Sequence, residues 1–256
     1  MSSWSSDVLA GGTPYDSGHY SGYHAGLACD NSEGSGSYWY GYPNNPNCWG
    51  YYWPAGTYKK VRKLRMRSVW VGGSAAGIAG FSLYGSNDNG GTWTLIYSGT
   101  HPNDANQWFE HTFSNNTAYN RYQINFSGSY YDSTRTLVLE IEMMEQVFSP
   151  PNTPSTPSGN SPVNAGVSNS YSASATDPDS LNVYYVFDWG DGSSQTSTGW
   201  YASGATGSAS HAFSSPGTYS VKCYAVNSEG LNSGWSGSKS VTVVAGGSYF
   251  RIVGLW

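Results

Sequence analysis

The sequence predicts an all-β protein of two domains, and three observations carry that reading. Apolar residues recur at every second position through stretch after stretch, the period of a half-buried strand. No stretch shows a sustained helical period. A proline- and serine-rich segment, Ser149–Pro162, divides the 256 residues into two blocks. Charged residues make up only 11% of the chain against 16% aromatic, with a net charge of −5. Such a surface carries hydroxyls, amides and rings rather than ion pairs, which suits ligands with flat apolar faces and many hydroxyls, as sugars have. The negative charge argues against a nucleic-acid partner. No run of about 20 apolar residues is present to cross a membrane as a helix.

The first block is organised around Phe81–Tyr97, which reads as strand, turn, strand. Phe81 and Leu83, then Trp93, Leu95 and Tyr97, keep the two-residue period. Asn87-Asp88-Asn89-Gly90-Gly91 between them accepts the positive φ that a chain reversal needs. Before the hairpin, Val8–Asp30 leads to Ala28-Cys29-Asp30-Asn31. Ser32–Pro46 is a long loop with Tyr38, Trp39, Tyr40 and Tyr42. Cys48–Trp53 is a strand that ends at the turn Pro54-Ala55-Gly56. Lys59–Val71 follows, with Leu64 and Met66 facing in and Arg65 and Arg67 facing out. Its basic residues read as a solvated face or as a patch for acidic polysaccharide. After the hairpin, Gly99–Asn106 is a polar loop, Trp108–Phe113 and Arg121–Phe126 are strands, and Ser127–Thr136 is a further loop. Leu137–Val147 closes the block, with Leu137, Leu139, Ile141 and Met143 on one side and Glu140 and Glu142 on the other.

The order of these pieces resembles the discoidin-like, galactose-binding-like jelly rolls of coagulation-factor C domains and many carbohydrate-binding modules. The resemblance rests on the hairpin with S-N-D-N-G-G-T-W, on Ala28-Cys29-Asp30, on Arg121–Phe126 and on the acidic-Ile-acidic closing strand. It covers about residues 8–148, with Asn31 where a glycine is usual. It implies sugar binding by the loops at one end of the jelly roll. The candidate ligand residues are Trp39, Tyr40 and Tyr42 from the first loop, His101, Asn103 and Asn106 from the middle one, and Tyr130, Tyr131 and Arg135 from the last. It also implies a structural Ca²⁺ held by Asp30 and Glu140, with Ser32, Ser35 or Ser37 and loop carbonyls as helpers. Oxygen donors of that kind suit a hard cation.

The second block, Ala165–Val244, carries Asp177-Pro178-Asp179, Phe187-Asp188-Trp189-Gly190-Asp191-Gly192, His211-Ala212-Phe213 and Pro216-Gly217-Thr218-Tyr219. Gly190 and Gly192 permit a tight reversal, and Asp188 and Asp191 can accept backbone hydrogen bonds within it. Phe187 and Trp189 face away from Asp188. These motifs resemble the polycystic-kidney-disease (PKD) repeat, which implies an immunoglobulin-like sandwich. In that family the Asp177–Asp179 pair corresponds to acids able to bind Ca²⁺, although Leu181-Asn182 stands where a third acid often follows. The expected domains are therefore 1–148 (jelly roll), 149–162 (linker), 163–245 (PKD sandwich) and 246–256, an apolar tail.

The chain contains no H-E-x-x-H, no G-x-S-x-G and no phosphate-binding glycine loop. His19 and His24 have no other strong metal ligand near them in sequence. The odd count of three cysteines leaves at least one thiol free. Cys223 falls at an inward position, and a Cys29–Cys48 bridge stays open. The function expected is noncatalytic glycan binding or cell adhesion outside a cell or particle, with the PKD unit as spacer. The alternative is a structural subunit of a virion, appendage or surface filament, self-associating through the apolar Gly246–Trp256. Met1–Ala10 has neither the basic start nor the apolar run of a secretory signal. An extracellular, cell-surface or virion location therefore means either that a signal has been removed or that the protein reaches the outside another way, such as virion assembly and lysis.

Overall fold

The computed structural model describes residues 3–19, 21–22, 24–30, 39–41, 47–71, 74–76, 78–102, 107–129 and 136–246. The expected ligand residues Tyr42, Asn103, Asn106, Tyr130, Tyr131 and Arg135, the helper serines and the apolar tail lie outside these. The chain divides into two units at Val147/Phe148.

The first unit holds strands β1 (Ser3–Trp4), β2 (Thr13–Asp16), β3 (Trp39–Gly41), β4 (Asn47–Tyr52), β5 (Val61–Val71), β6 (Ser74–Ala76), β7 (Ile78–Ser86), β8 (Thr94–Thr100), β9 (Trp108–Thr112), β10 (Arg121–Ser129) and β11 (Thr136–Val147). A short 3₁₀ turn spans Ala25–Ala28. One sheet runs β1-β11-β5-β6, with β3 also on β11 and β9 on β5; the other runs β2-β4-β10-β7-β8. The two form a jelly-roll sandwich. Alternation fixes which side chains meet between them: Tyr122, Ile124 and Phe126 of β10 are buried while Arg121, Gln123 and Asn125 face outward. Trp49, Phe81, Leu64, Met66, Ile141 and Met143 fill the same core.

The closing strand departs from the expected alternation. A register shift against β5 falls between Val138 and Glu140. Such a bulge places one extra residue on the strand and reverses its facing. Val138 therefore joins Ile141 and Met143 in the core, in place of Leu137 and Leu139.

The second unit contains β12 (Ser158–Gly159), β13 (Val163–Asn164), β14 (Asn169–Ser174), β15 (Val183–Asp188), β16 (Thr196–Ser197), β17 (Thr206–His211), β18 (Gly217–Asn227) and β19 (Lys239–Val244). Sheets β12-β14-β17 and β13-β19-β18-β15-β16 face each other across Tyr171, Tyr185, Phe187, Trp189, Phe213, Val221 and Cys223. This is the immunoglobulin-like sandwich the motifs predict.

The Pro/Ser segment is not a free linker. Pro151, Pro154 and Pro157 are all buried. Their three-residue spacing is that of a polyproline II helix, which puts one face of the segment on the unit. Residues between the prolines keep their N–H groups and use them: Asn152 donates to Thr176 O and Ser155 to Ser174 O, both at 2.9 Å. The segment leads into β12, which pairs with β14. Proline is tolerated there because the position is a sheet edge.

Candidate functional site

Topology gathers the first unit's connections at one end. β3 leads to β4, β6 to β7, β8 to β9 and β10 to β11, and all four crossings leave from the same end of the sandwich. Register shows this: Asp16 lies opposite Trp49, Asn47 opposite Phe126, Phe126 opposite Phe81, and Gly80 opposite Thr100. Thr136 pairs with Gly41 at the same end. The strand ends that bracket Tyr42, Asn103, Asn106, Tyr130, Tyr131 and Arg135 are thus brought together, although those residues lie outside the described ones. Val147, where the chain leaves this unit, is at the opposite end.

Asp16 anchors the described part of this end. Its side chain is 7% exposed. Oδ1 accepts from Gly18 N at 2.9 Å and Oδ2 from Trp39 Nε1 at 3.1 Å, and His19 Nδ1 lies 3.1 Å from both oxygens. A carboxylate only accepts, so Nδ1 carries the hydrogen and Nε2 is left for another partner. His24 stands edge-on to His19, with ring centroids 6.3 Å apart. Thr13, Pro14, Tyr15, Asp16, His19 and His24, with Ala25 and Gly26, line an open cleft of about 320 Å³. Tyr15 is fixed beside it. Its hydroxyl donates to Tyr122 O at 3.2 Å, and Arg121 lies over its ring at 5.3 Å. Sequence reasoning passed over Asp16; the signal for it was the i, i+3 spacing to His19.

Two expected ligand residues are corrected. Trp39 is fully buried, with its ring 5.5 Å from Phe126. It is a core ring that holds Asp16, not a surface for stacking. His101 is 2% exposed and enclosed by His111, Phe81 and Phe109 at centroid distances of 4.9, 5.6 and 4.9 Å. Burial, and secondarily His111, lowers its pKa to about 4. It is thus a neutral ring packed among Phe81, Phe109 and His111. Tyr40 is half-buried on β3. The basic strand is matched by acids: Lys63 and Arg65 reach Glu110 at 3.1 and 3.0 Å, and Arg65 reaches Glu142 at 2.8 Å. That compensation removes the reading of a patch for acidic polysaccharide.

Asp30 is exposed and Glu140 is buried at the bulge of β11. Both act on the Cys29 thiol, whose pKa is pushed up to about 12, first by burial, then by Glu140, Asp7 and Asp30. The oxygens of Asp30 and Glu140 are the donor type Ca²⁺ takes. No group of three or more metal-ligating side chains occurs among the described residues. Further donors would have to come from loop carbonyls or from Ser32, Ser35 and Ser37. In the second unit, Asp177 and Asp179 hold a turn together. Asp177 Oδ1 accepts from Asp179 N and Leu181 N, its Oδ2 from Asn227 Nδ2, and Asp179 Oδ2 accepts from Ser149 N at 2.7 Å. Cys29, Cys48 and Cys223 are free thiols.

Comparison with known proteins gives the following. The family model described as PKD domain matches residues 154–236. The PKD domain of an M14-like peptidase from a Thermoplasmatales archaeon is similar at 33% identity, covering 38% of this chain and 98% of that one, with a TM-score of 0.33. The family 32 carbohydrate-binding module of NanJ from Clostridium perfringens, solved with galactose, is similar at 15% identity over 56% of this chain and 100% of that one (TM-score 0.45). Truncated AlyQ, with CBM32 and alginate lyase domains, is similar at 13% identity over 88% of this chain and 78% of that one (TM-score 0.47). No curated protein matches the chain in sequence. The Trp-Gly-Asp-Gly turn, the His-x-Phe strand and the two facing sheets agree with this match: residues 154–236 are a PKD domain, following a jelly-roll sandwich.

Proposed function

We propose that this chain is a noncatalytic glycan-binding protein of an exterior surface, and that its jelly roll takes a sugar at the loop end. The observation that supports this best is the Asp16–His19 pair at the cleft. A buried carboxylate holds the direction of an imidazole that lines the cleft. His24 adds a second polar ring, and Tyr42, Tyr130 and Tyr131, outside the described residues, are the rings expected to stack on the sugar. We also propose that Asp30 and Glu140 hold a Ca²⁺ that braces this end; a bound cation would supply fixed charge and loop order, with no chemical step.

A glycan array followed by calorimetry tests the binding. His19→Ala and His24→Ala should each weaken the best glycan by about tenfold, the worth of one or two hydrogen bonds, with unchanged melting. Absence of binding by any neutral or acidic glycan at millimolar concentration overturns the reading.

A further inference from the structure

Two tryptophans with large exposure occur among the described residues, Trp200 at 56% and Trp235 at 41%. Both lie on the outer face of the same sheet of the PKD unit. Tyr201 exchanges backbone hydrogen bonds with Val183, and its ring packs into the core, so the neighbouring Trp200 points outward. Trp200 meets Tyr184 edge to face, with centroids 4.9 Å apart at 86°. On the far side of β18, Ser233 N donates to Ala225 O and Ser236 N to Cys223 O. Trp235 is thereby held against Tyr224 in the same arrangement, 4.8 Å at 81°. Four chain segments lie side by side here, so the two indoles stand on segments three inter-strand spacings apart, about 14 Å across the sheet, and two residues apart along it.

On this face Val186 and Val226 are buried although they lie outside the core cluster. The charges on this face are internally matched. Lys222 Nζ lies 3.7 Å from Asp188 Oδ2 and 4.4 Å from the Trp235 ring centre. The patch is therefore flat, neutral and aromatic, with two phenol hydroxyls. Exposed indoles on rigid backbone are unfavourable in water and ready for a partner without further ordering cost. A protein partner of a patch this size ordinarily seeks an apolar pocket for an anchor residue, and this face is open and unwalled. Pyranose rings with equatorial hydroxyls offer the complement: flat C–H faces for the indoles and a rim of hydroxyls for the phenols and the Lys222–Asp188 pair.

We propose that the outer face of the PKD sheet, through Trp200 and Trp235, binds a flat neutral β-1,4-linked polysaccharide. The unit is then a second glycan contact and not a passive spacer. The surface shares no residue with the jelly-roll cleft.

Co-sedimentation of the full chain with crystalline cellulose and with chitin tests it. The wild type should pellet with at least one of them, and Trp200→Ala/Trp235→Ala should lower the partition constant by tenfold or more. Trp200→Tyr and Trp235→Tyr should retain most of the binding, and His19→Ala should leave it unchanged. That last arm separates this face from the cleft. Should the double alanine variant melt early, a soluble cello- or chito-oligosaccharide is used with the wild type, and must protect tryptophan emission from acrylamide quenching. Failure to pellet with either polymer, pelleting unaffected by the double substitution, or loss with His19→Ala instead overturns the proposal.

Discussion

His211 Nε2 lies 2.7 Å from Asp191 Oδ2, while the imidazole lies flat on the Trp189 indole, with centroids 4.6 Å apart at 6°. Two motifs about 20 residues apart in sequence thus close on each other. The glycine turn delivers Asp191 and the His-x-Phe strand delivers the ring that meets it. Gly190 is required where it stands. Its φ is +73°, and a Cβ there would come within 2.6 Å of Ser220 O.

The Asp191–His211 contact predicts how the PKD unit responds to acid. Burial alone would raise the Asp191 pKa, but hydrogen bonds from Ser193 and His211 outweigh it and bring the value down from 3.8 to about 2. The folded state then binds fewer protons than the unfolded chain between those values. Its contribution to stability is held above pH 3.8 and lost as the pH falls toward 2. Denaturation midpoints of the second unit should fall over this window in the wild type and flatten in Asp191→Asn. Parallel curves for the two proteins would contradict the assignment.

Tyr122 pins the core of the first unit by three polar contacts. Its hydroxyl donates to Lys59 O at 2.6 Å and accepts from Val61 N at 3.1 Å and Asn115 Nδ2 at 3.2 Å. Tyr122→Phe keeps the ring but leaves Val61 N without its acceptor, while Lys59 O keeps Tyr119 N and Asn115 Nδ2 keeps Val61 O. A loss of about 1–3 kcal/mol follows, the cost of one unsatisfied buried group. It should appear only in the jelly roll's unfolding transition. A change under about 0.5 kcal/mol would mean that water replaces the hydroxyl.

The strands and their faces were legible because alternation encodes them directly. Tyr122, Ile124 and Phe126 needed nothing but the two-residue period. The PKD motifs were equally readable, since their glycines and acids are dictated by one turn. The candidate site was less so. Trp39 and His101 both sit beside loops, and sequence does not say whether a loop-flanking ring turns toward solvent or core. Here the Trp39 N–H finds Asp16 and the His101 ring finds Phe81. The bulge before Glu140 leaves no trace in composition, so Val138 and Leu139 exchanged their expected sides. The buried prolines 151, 154 and 157 did carry a signal, a period of three, which the general expectation for proline-rich segments hid.

Removal of calcium tests the Asp30–Glu140 site. A cation bound only to the folded state raises melting temperature by mass action, by about 2.7 kcal/mol of stability at a hundred times Kd. The jelly-roll transition should rise in millimolar Ca²⁺ relative to chelator, and Glu140→Gln should abolish the difference. Identical melting curves in the two buffers would rule the site out.

Gly50 and Tyr15 face each other across β2 and β4, and their contact links fold to cleft. A Cβ on Gly50 would lie 2.2 Å from Tyr15 Cζ and 2.5 Å from its hydroxyl oxygen. The ring cannot lift away freely, because Arg121 lies over it and Tyr122 O holds its hydroxyl. Gly50→Ala should therefore push β2 off the sheet edge at a cost of about 1–3 kcal/mol, the usual range for overpacking. Since Asp16 follows Tyr15 directly, the displacement should also misdirect His19 and weaken glycan binding. Tyr15→Ala in the Gly50→Ala background makes room for the methyl and should recover stability. Two residues in contact are expected to couple by about 0.5–3 kcal/mol in such a cycle. Stability effects that simply add would show that the ring and the glycine backbone do not meet, and would detach the cleft from this strand pair.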